Sequence, residues 1–341
     1  MTAASHQAMS DTLSVPITGD AVFTHETYAA LLKRALDQYT FCDYTSLDRS
    51  GRFVIWRHDV DMSMHAAVAL ARIEAAMGVQ ATYFLLPGCE YYNLFEPAIV
   101  ACMHEIRELG HHFGLHFQCT PDMSATPAAF EAALTAQRQL LETYCERPIN
   151  VFSYHNPSAS ALAHDAFTHA GMVNTYARYF RENVTYCSDS NGIWRHRSLA
   201  DTLAANPERL QVLTHPEWWQ TQALSPRERA FRCIDGRARA GLANYNVMLM
   251  ESERMNICDL GPDFDRLTKF LGEDALRIQM LWLAGEHVLA FLGLWRISAS
   301  RGITPAACRA VADDTLRGSP VSREQLFAPM QQLTAALVGA A

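Results

Sequence analysis

Between residues 52 and 214 of this 341-residue chain, short runs of β-forming residues alternate with stretches whose apolar residues recur at helical spacing. That alternation constrains the fold more than any other feature, because a strand, helix, strand order signals parallel βαβ units. Arg52 to Arg57 reads as a strand. Ser63 to Met77 reads as a helix stopped by Gly78, and Gln80 to Leu86 as the next strand. After the loop at Gly88, Leu94 to Leu109 is a helix ending at Gly110. His111 to Phe117 is a strand, and Thr126-Pro127 supplies the N-cap and first-turn proline of a helix to about Cys145. Further strands are expected at Asn150 to Tyr154, Val173 to Tyr176, Val184 to Cys187 and Leu210 to Thr214. Seven parallel strands suit an α/β barrel or a doubly wound sheet, and in both folds ligands collect at the carboxyl ends of the strands.

Beyond Thr221 no strand is evident. Ser225-Pro226 opens a helix running through Met250, and helical stretches follow from about Asp274 to Ser300 and from Thr304 to Val338. The expected organisation is a flexible segment over 1–20, an α/β unit over 21–221, and a helical extension over 222–341 that covers the first unit or forms a homo-oligomer contact. The apolar stretch from Ile278 to Ile297 is interrupted by Gly285, Glu286, His287 and Arg296, which makes it a buried helix or an interface rather than a membrane span.

Charge and cysteine usage exclude several function classes. A net charge of −8 with 28 dispersed basic residues argues against nucleic acid or an anionic membrane as partner. Nine single cysteines without a C-x-x-C pair fit reduced thiols. Met1 to Asp20 has neither the charged nor the apolar region of a signal peptide, so a cytoplasmic location is expected.

The chemistry-bearing residues gather at the predicted strand ends. Asp59 and Asp61 close the first strand, and their i, i+2 spacing turns both carboxylates to one side while His58 and Val60 face the other. Two carboxylates at the end of a buried strand call for a metal or a catalytic use; a plainer role is helix capping by Asp61 or Ser63. His116, His155 and His215 end three other strands. His112 and His116 have the spacing that binds zinc on a helix, but Gly110 and Gly114 disfavour one. In a strand, four residues span about 13 Å, too far for both rings to reach one ion. His116 is therefore the candidate ligand, and His111 and His112 are core or supporting residues. Tyr154 and Asn156 flank His155, Asp189, Trp194 and Arg195 lie in a turn-rich loop, and Trp218 follows His215; these six are the candidate substrate contacts.

The series His58-Asp59-Val60-Asp61, Glu108-Leu109-Gly110-His111-His112-Phe113-Gly114-Leu115-His116 and Leu213-Thr214-His215 resembles the polysaccharide deacetylase superfamily, the NodB-homology or carbohydrate esterase 4-like group, over roughly residues 50 to 220. The resemblance implies a distorted (β/α) barrel of about seven strands and metal-dependent hydrolysis of an amide, commonly the N-acetyl group of a sugar. It assigns Asp59 as general base, Asp61 and His116 as metal ligands and His215 as acid. Val60 separates aspartates that are adjacent in that family, and Thr120 stands where the family has its second metal histidine. His155 is the candidate replacement. These departures point to a divergent branch acting on a sugar or related small metabolite. A cyclic amide or ureide hydrolase and an inactive carbohydrate-binding relative are the alternatives. Carboxylate plus imidazole ligands suit zinc first, with cobalt, nickel or iron as other fillings.

Overall fold

The structure, a computed structural model, describes residues 23–194, 196–251, 260 and 262–340. Its described residues divide into two compact units at Asp235–Gly236, a boundary that falls inside one long helix. The expected flexible segment at 1–20 lies outside the described residues.

All seven expected strands are present, joined by two short ones. In chain order they are β1 (Thr40–Phe41), β2 (Phe53–Val60), β3 (Thr82–Leu85), β4 (His112–Gln118), β5 (Val151–His155), β6 (Thr168–His169), β7 (Met172–Asn174), β8 (Thr185–Ser188) and β9 (Arg209–Thr214). They make one sheet in the order β6-β7-β5-β4-β3-β2-β9-β8, with β1 added beside β2. Every pairing is parallel except β6 with β7. The sheet curls into a half-barrel whose path ends at β6 and β8 without pairing them, so the expected distorted barrel is open on one side. The two extra strands are two residues each, too short to leave a period in the sequence.

In this first unit the helices are α1 (His25–Leu36), α2 (Met64–Ala76), α3 (Pro97–Glu108), α4 (Pro127–Cys145), α5 (Ala159–Leu162), α6 (Arg178–Asn183) and α7 (Leu199–Ala205), with α8 (Pro226–Glu251) crossing the boundary. Ser63, not Asp61, caps α2 by accepting from the Ala66 N–H, which leaves the Asp61 carboxylate for other uses. Thr126 caps α4 as its sequence predicts.

All eight residues of β2 are buried, and strand alternation sorts them between two cores. Val54, Trp56 and Val60 join the larger core under the helices, with Tyr83, Leu85, Leu115, Phe117, Phe152 and Val212. Phe53 and Ile55 join a smaller core on the concave side, with Tyr44, Phe84, Val151 and Phe180. Arg57 and Asp59 continue the second series, so their charged groups enter the half-barrel. His58 continues the first and meets α2, where buried Glu74 lies 2.7 Å from its Nε2 and also accepts from the hydroxyls of Tyr83 at 2.7 Å and of Tyr28. Gly114 on β4 is demanded by this packing: a Cβ there would lie 2.4 Å from the Phe84 ring.

The second unit is helical among its described residues. The expected helix from Asp274 to Ser300 is two, α10 (Glu273–Leu283) and α11 (His287–Ser300), broken at Gly285 with φ +85°. The stretch from Thr304 to Val338 is likewise two, α12 (Ala306–Leu316) and α13 (Arg323–Gly339), and α9 (Pro262–Leu271) precedes them. Phe264, Leu267, Trp282, Phe291, Leu294 and Leu333 form its separate core. No described helix is long and apolar enough to cross a membrane.

Candidate metal centre

The parallel order brings the carboxyl ends of β2, β4, β5 and β9 to one rim. Asp61 follows β2, His116 lies near the end of β4, His155 ends β5, and His215 follows β9. The end of β2 is stapled in place from the β3–α3 loop. There the Tyr92 hydroxyl donates to the Val60 carbonyl at 2.8 Å and the Cys89 thiol to the Asp61 carbonyl at 3.2 Å.

Three donor atoms converge. Asp61 Oδ1 lies 3.0 Å from His116 Nε2 and 3.5 Å from His155 Nδ1, and the two ring nitrogens are 3.2 Å apart. Ligands bound to one tetrahedral ion at about 2.0–2.1 Å stand about 3.3–3.4 Å from one another, so the triangle has the size of one face of such a site. Asp61 Oδ1 is buried and, despite the short distances, has no hydrogen bond of acceptable geometry. An orphaned carboxylate oxygen facing two imidazole nitrogens fits a divalent cation. Burial disfavours the charged form of Asp61, but His116 and His155 outweigh it and hold the carboxyl far below the usual carboxylate range. Among the described residues no other group of three or more His, Cys, Asp or Glu side chains converges in this way.

Asp59 sits one layer deeper, 2% exposed. Its Oδ2 accepts from Arg57 Nη2 at 3.0 Å and from Ser153 Oγ at 3.1 Å, and Arg57 Nη2 also donates to Ser153 Oγ at 2.9 Å. Oδ1 has no partner. His116 turns its other nitrogen, Nδ1, to Asp59 Oδ2 at 3.8 Å, beyond hydrogen-bond reach. One carboxylate therefore has one oxygen clamped by a buried guanidinium and the other unpaired.

On the other flank, His215 Nε2 lies 3.8 Å from Asp61 Oδ2, while its Nδ1 is 2.7 Å from Asp189 Oδ1. Asp189 is wholly buried and also accepts the His215 backbone N–H and Trp219 Nε1, the latter at 2.8 Å. Burial alone would depress the His215 imidazolium, but the hydrogen bond and charge of Asp189, aided by Asp61, raise its pKa to about 10. His215 is thus held charged at neutral pH.

Several expected substrate contacts stand elsewhere. Tyr154 is buried outward among Phe117, Phe130 and Phe152, because Ser153 and His155 take the inward positions of β5. Asp189 is a buried partner of His215, with no surface for a substrate. Trp194 stacks on Phe23 at 5.3 Å and meets Trp219 edge-on at 6.2 Å. Trp218 is half-buried beside Gly192, with Nε1 buried and unpartnered. Asn156 is exposed and adjoins His155 Nε2 at 3.1 Å. Arg195 lies outside the described residues. His111 links the residue before β3 to α2 through the Ala81 N–H and the Ala71 carbonyl, as a core residue.

Sequence reasoning missed Arg57, Ser153 and Glu217. Arg57 carried a signal, since it is two residues before Asp59 on the same strand and so shares its face. Ser153 carried none, because it reaches Asp59 only through the pairing of β4 with β5. Glu217 is 1% exposed, its Oε2 has no partner, and burial followed by the charge of Asp61 raises its carboxyl well above the usual range.

No protein-family model and no curated protein matches the chain. Among solved structures, a mutant of a CE4 family pseudoenzyme from Bacillus anthracis with restored enzymatic activity aligns at 14% identity and a TM-score of 0.33, over 57% of this chain and 65% of that one. The chain thus spans less than two thirds of that protein. A family 4 acetyl xylan esterase from Clostridium thermocellum in complex with a cobalt ion aligns at 14% identity and TM-score 0.33 over 55% and 83%. The chitin deacetylase of Colletotrichum lindemuthianum aligns at 13% and 0.33 over 58% and 86%. Over a little more than half its length, this chain is similar to solved structures of the carbohydrate esterase 4 group.

Proposed function

We propose that the chain is a metal-dependent hydrolase of a linear amide, a deacetylase of an N-acetylated sugar or related small metabolite. The observation that carries this reading is the convergence of Asp61, His116 and His155 at tetrahedral spacing, flanked by Asp59 and His215. A divalent ion held by those three side chains supplies Lewis acidity, which acidifies water and polarises an acyl carbonyl. Zinc suits the donor set, and cobalt, nickel and iron suit it too.

The chain's own groups supply the proton transfers. Asp59 is the base: Arg57 and Ser153 hold Oδ2, and the unpartnered Oδ1 takes the proton of the attacking water. His215 is the acid. Asp189 keeps it charged, and its Nε2 proton passes to the departing nitrogen, a poor leaving group without protonation. Cleavage of an acetyl ester needs the acid less, since an alkoxide leaves more readily than an amide anion. Strong dependence on His215 therefore distinguishes an amide substrate.

The test pairs metal analysis with acetate release from a panel of N-acetyl sugars. The purified protein should hold about one equivalent of transition metal. Asp59→Asn should retain it while losing at least about 100-fold in turnover, and His116→Ala should lose both. Asp59→Asn with normal turnover would remove that residue from the base role. Failure of the wild-type protein to bind metal, even with added zinc, would end the hydrolase reading.

A further inference from the structure

His155 turns Nδ1, not Nε2, toward Asp61 and His116. A neutral imidazole carries one proton, so ligation through Nδ1 requires that proton to sit on Nε2. A donor at Nε2 needs an acceptor. The group beside it is the side-chain amide of Asn156, whose Nδ2 lies 3.1 Å from Nε2. With Nδ2 at that place the amide donates to Nε2, which matches the other tautomer, with the Nδ1 proton aimed at Asp61 Oδ1 3.5 Å away. A half-turn of the amide exchanges nitrogen for oxygen at nearly the same place and matches the ligating tautomer.

The backbone explains why neighbouring residues touch at all. In a strand, residue 156 would point away from the face used by residue 155. Here β5 ends at His155, and Asn156 adopts φ +47°, a left-handed conformation that Asn tolerates better than other non-glycine residues. That turn folds the amide back onto the preceding ring.

We propose that Asn156 is a positioning residue of the metal centre: its amide oxygen accepts the Nε2 proton of His155 and so keeps the Nδ1 lone pair directed at the site shared with Asp61 and His116. This inference rests on the metal reading above and adds a residue that the donor triangle does not include. Asn156 acts by fixing the tautomer and ring orientation of a ligand, the role that outer partners of metal-bound histidines fill.

Zinc affinity, measured by competition with a chromophoric chelator, tests it with two variants. Asn156→Gly keeps the left-handed backbone and removes the amide, and it should bind zinc about 10-fold more weakly, the lower end of the effect of losing such a partner. Asn156→Asp presents only acceptor oxygens and should bind zinc at least as tightly as the wild type. In the zinc-loaded protein, ¹⁵N-resolved NMR should find a slowly exchanging Nε2 proton on His155 in the wild type and in Asn156→Asp, and a fast-exchanging one in Asn156→Gly. Equal zinc affinities in all three proteins, or a zinc-loaded His155 protonated on Nδ1, would overturn the proposal while leaving the metal centre intact. No zinc binding by the wild type would instead refute the metal reading, and the proposal with it.

Discussion

Asp189→Asn isolates the contact that keeps His215 charged and so tests its proposed role as the acid. In the native protein the imidazole pKa is raised from 6.5 to about 10, with Asp189 as the largest favourable partner against the cost of burial. A pKa raised in the folded state adds stability that is fully present below about 6.5 and is lost as pH rises through about 10. At pH 7 that linkage amounts to roughly 4 kcal/mol, from 1.36 kcal/mol for each tenfold change in proton affinity. The asparagine keeps one acceptor for the His215 backbone and ring but removes the charge, so burial prevails and the neutral imidazole is favoured at pH 7. The alkaline limb of kcat/KM, which reports the free enzyme's acid, should then move to markedly lower pH, with Asp61 left to hold up part of the shift. Denaturant unfolding at pH 7 should show a loss of up to about 4 kcal/mol, shrinking as the pH approaches 10. The assay is acetate release between pH 5 and 10.5 with parallel unfolding curves. An alkaline limb at the same pH in both proteins would refute the argument that Asp189 sets the charge of His215.

The remaining predictions concern packing and metal. Gly114→Ala should destabilise the protein by about 1–3 kcal/mol, because its Cβ would lie 2.4 Å from the buried Phe84 ring and force that ring to shift; thermal melting checks this. Since Phe84 also lies beneath the Arg57 guanidinium at 5.1 Å, turnover should fall in the same variant. Glu74→Gln replaces a buried carboxylate that serves Tyr28, Tyr83 and His58 and should cost roughly 2–4 kcal/mol, as charged hydrogen bonds are lost. Burial opposes ionisation of Glu74, but His58 and its hydrogen bonds lower its pKa. Its contribution is therefore present above about 4.5 and lost as pH falls through the lower folded value, so acid unfolding should be steeper in the wild type than in Glu74→Gln. Chelation should lower the melting temperature, since zinc at about 1,000 times its dissociation constant stabilises by about 4 kcal/mol; His155→Ala should abolish that difference.

The rim residues were legible because strand ends can be located from local period and punctuation alone. Asp59, Asp61, His116, His155 and His215 each stand at or just past the end of an expected strand, and parallel strands place such ends together. The six candidate substrate contacts were less legible, since what lies beside a strand end depends on the turn. Asp189 illustrates it: a carboxylate in a loop of turn formers reads as exposed, yet Trp219 and the His215 backbone enclose it. Tyr154 shows the converse, a residue assigned to the site by adjacency to His155 although strand alternation sends it to the helical side.

What the amino-acid sequence determined by itself was the strand–helix alternation of the first unit, the Thr126 cap of α4, and the split of β2 into two faces, all consequences of interactions within a few residues. Only the tertiary structure decided that His155 closes the donor triangle with Asp61 and His116, that Arg57 and Ser153 clamp one oxygen of Asp59, and that the sheet stays open between β6 and β8. These depend on register and twist across strands far apart in the chain. A shift of one residue in any pairing would turn each of those side chains to the opposite face.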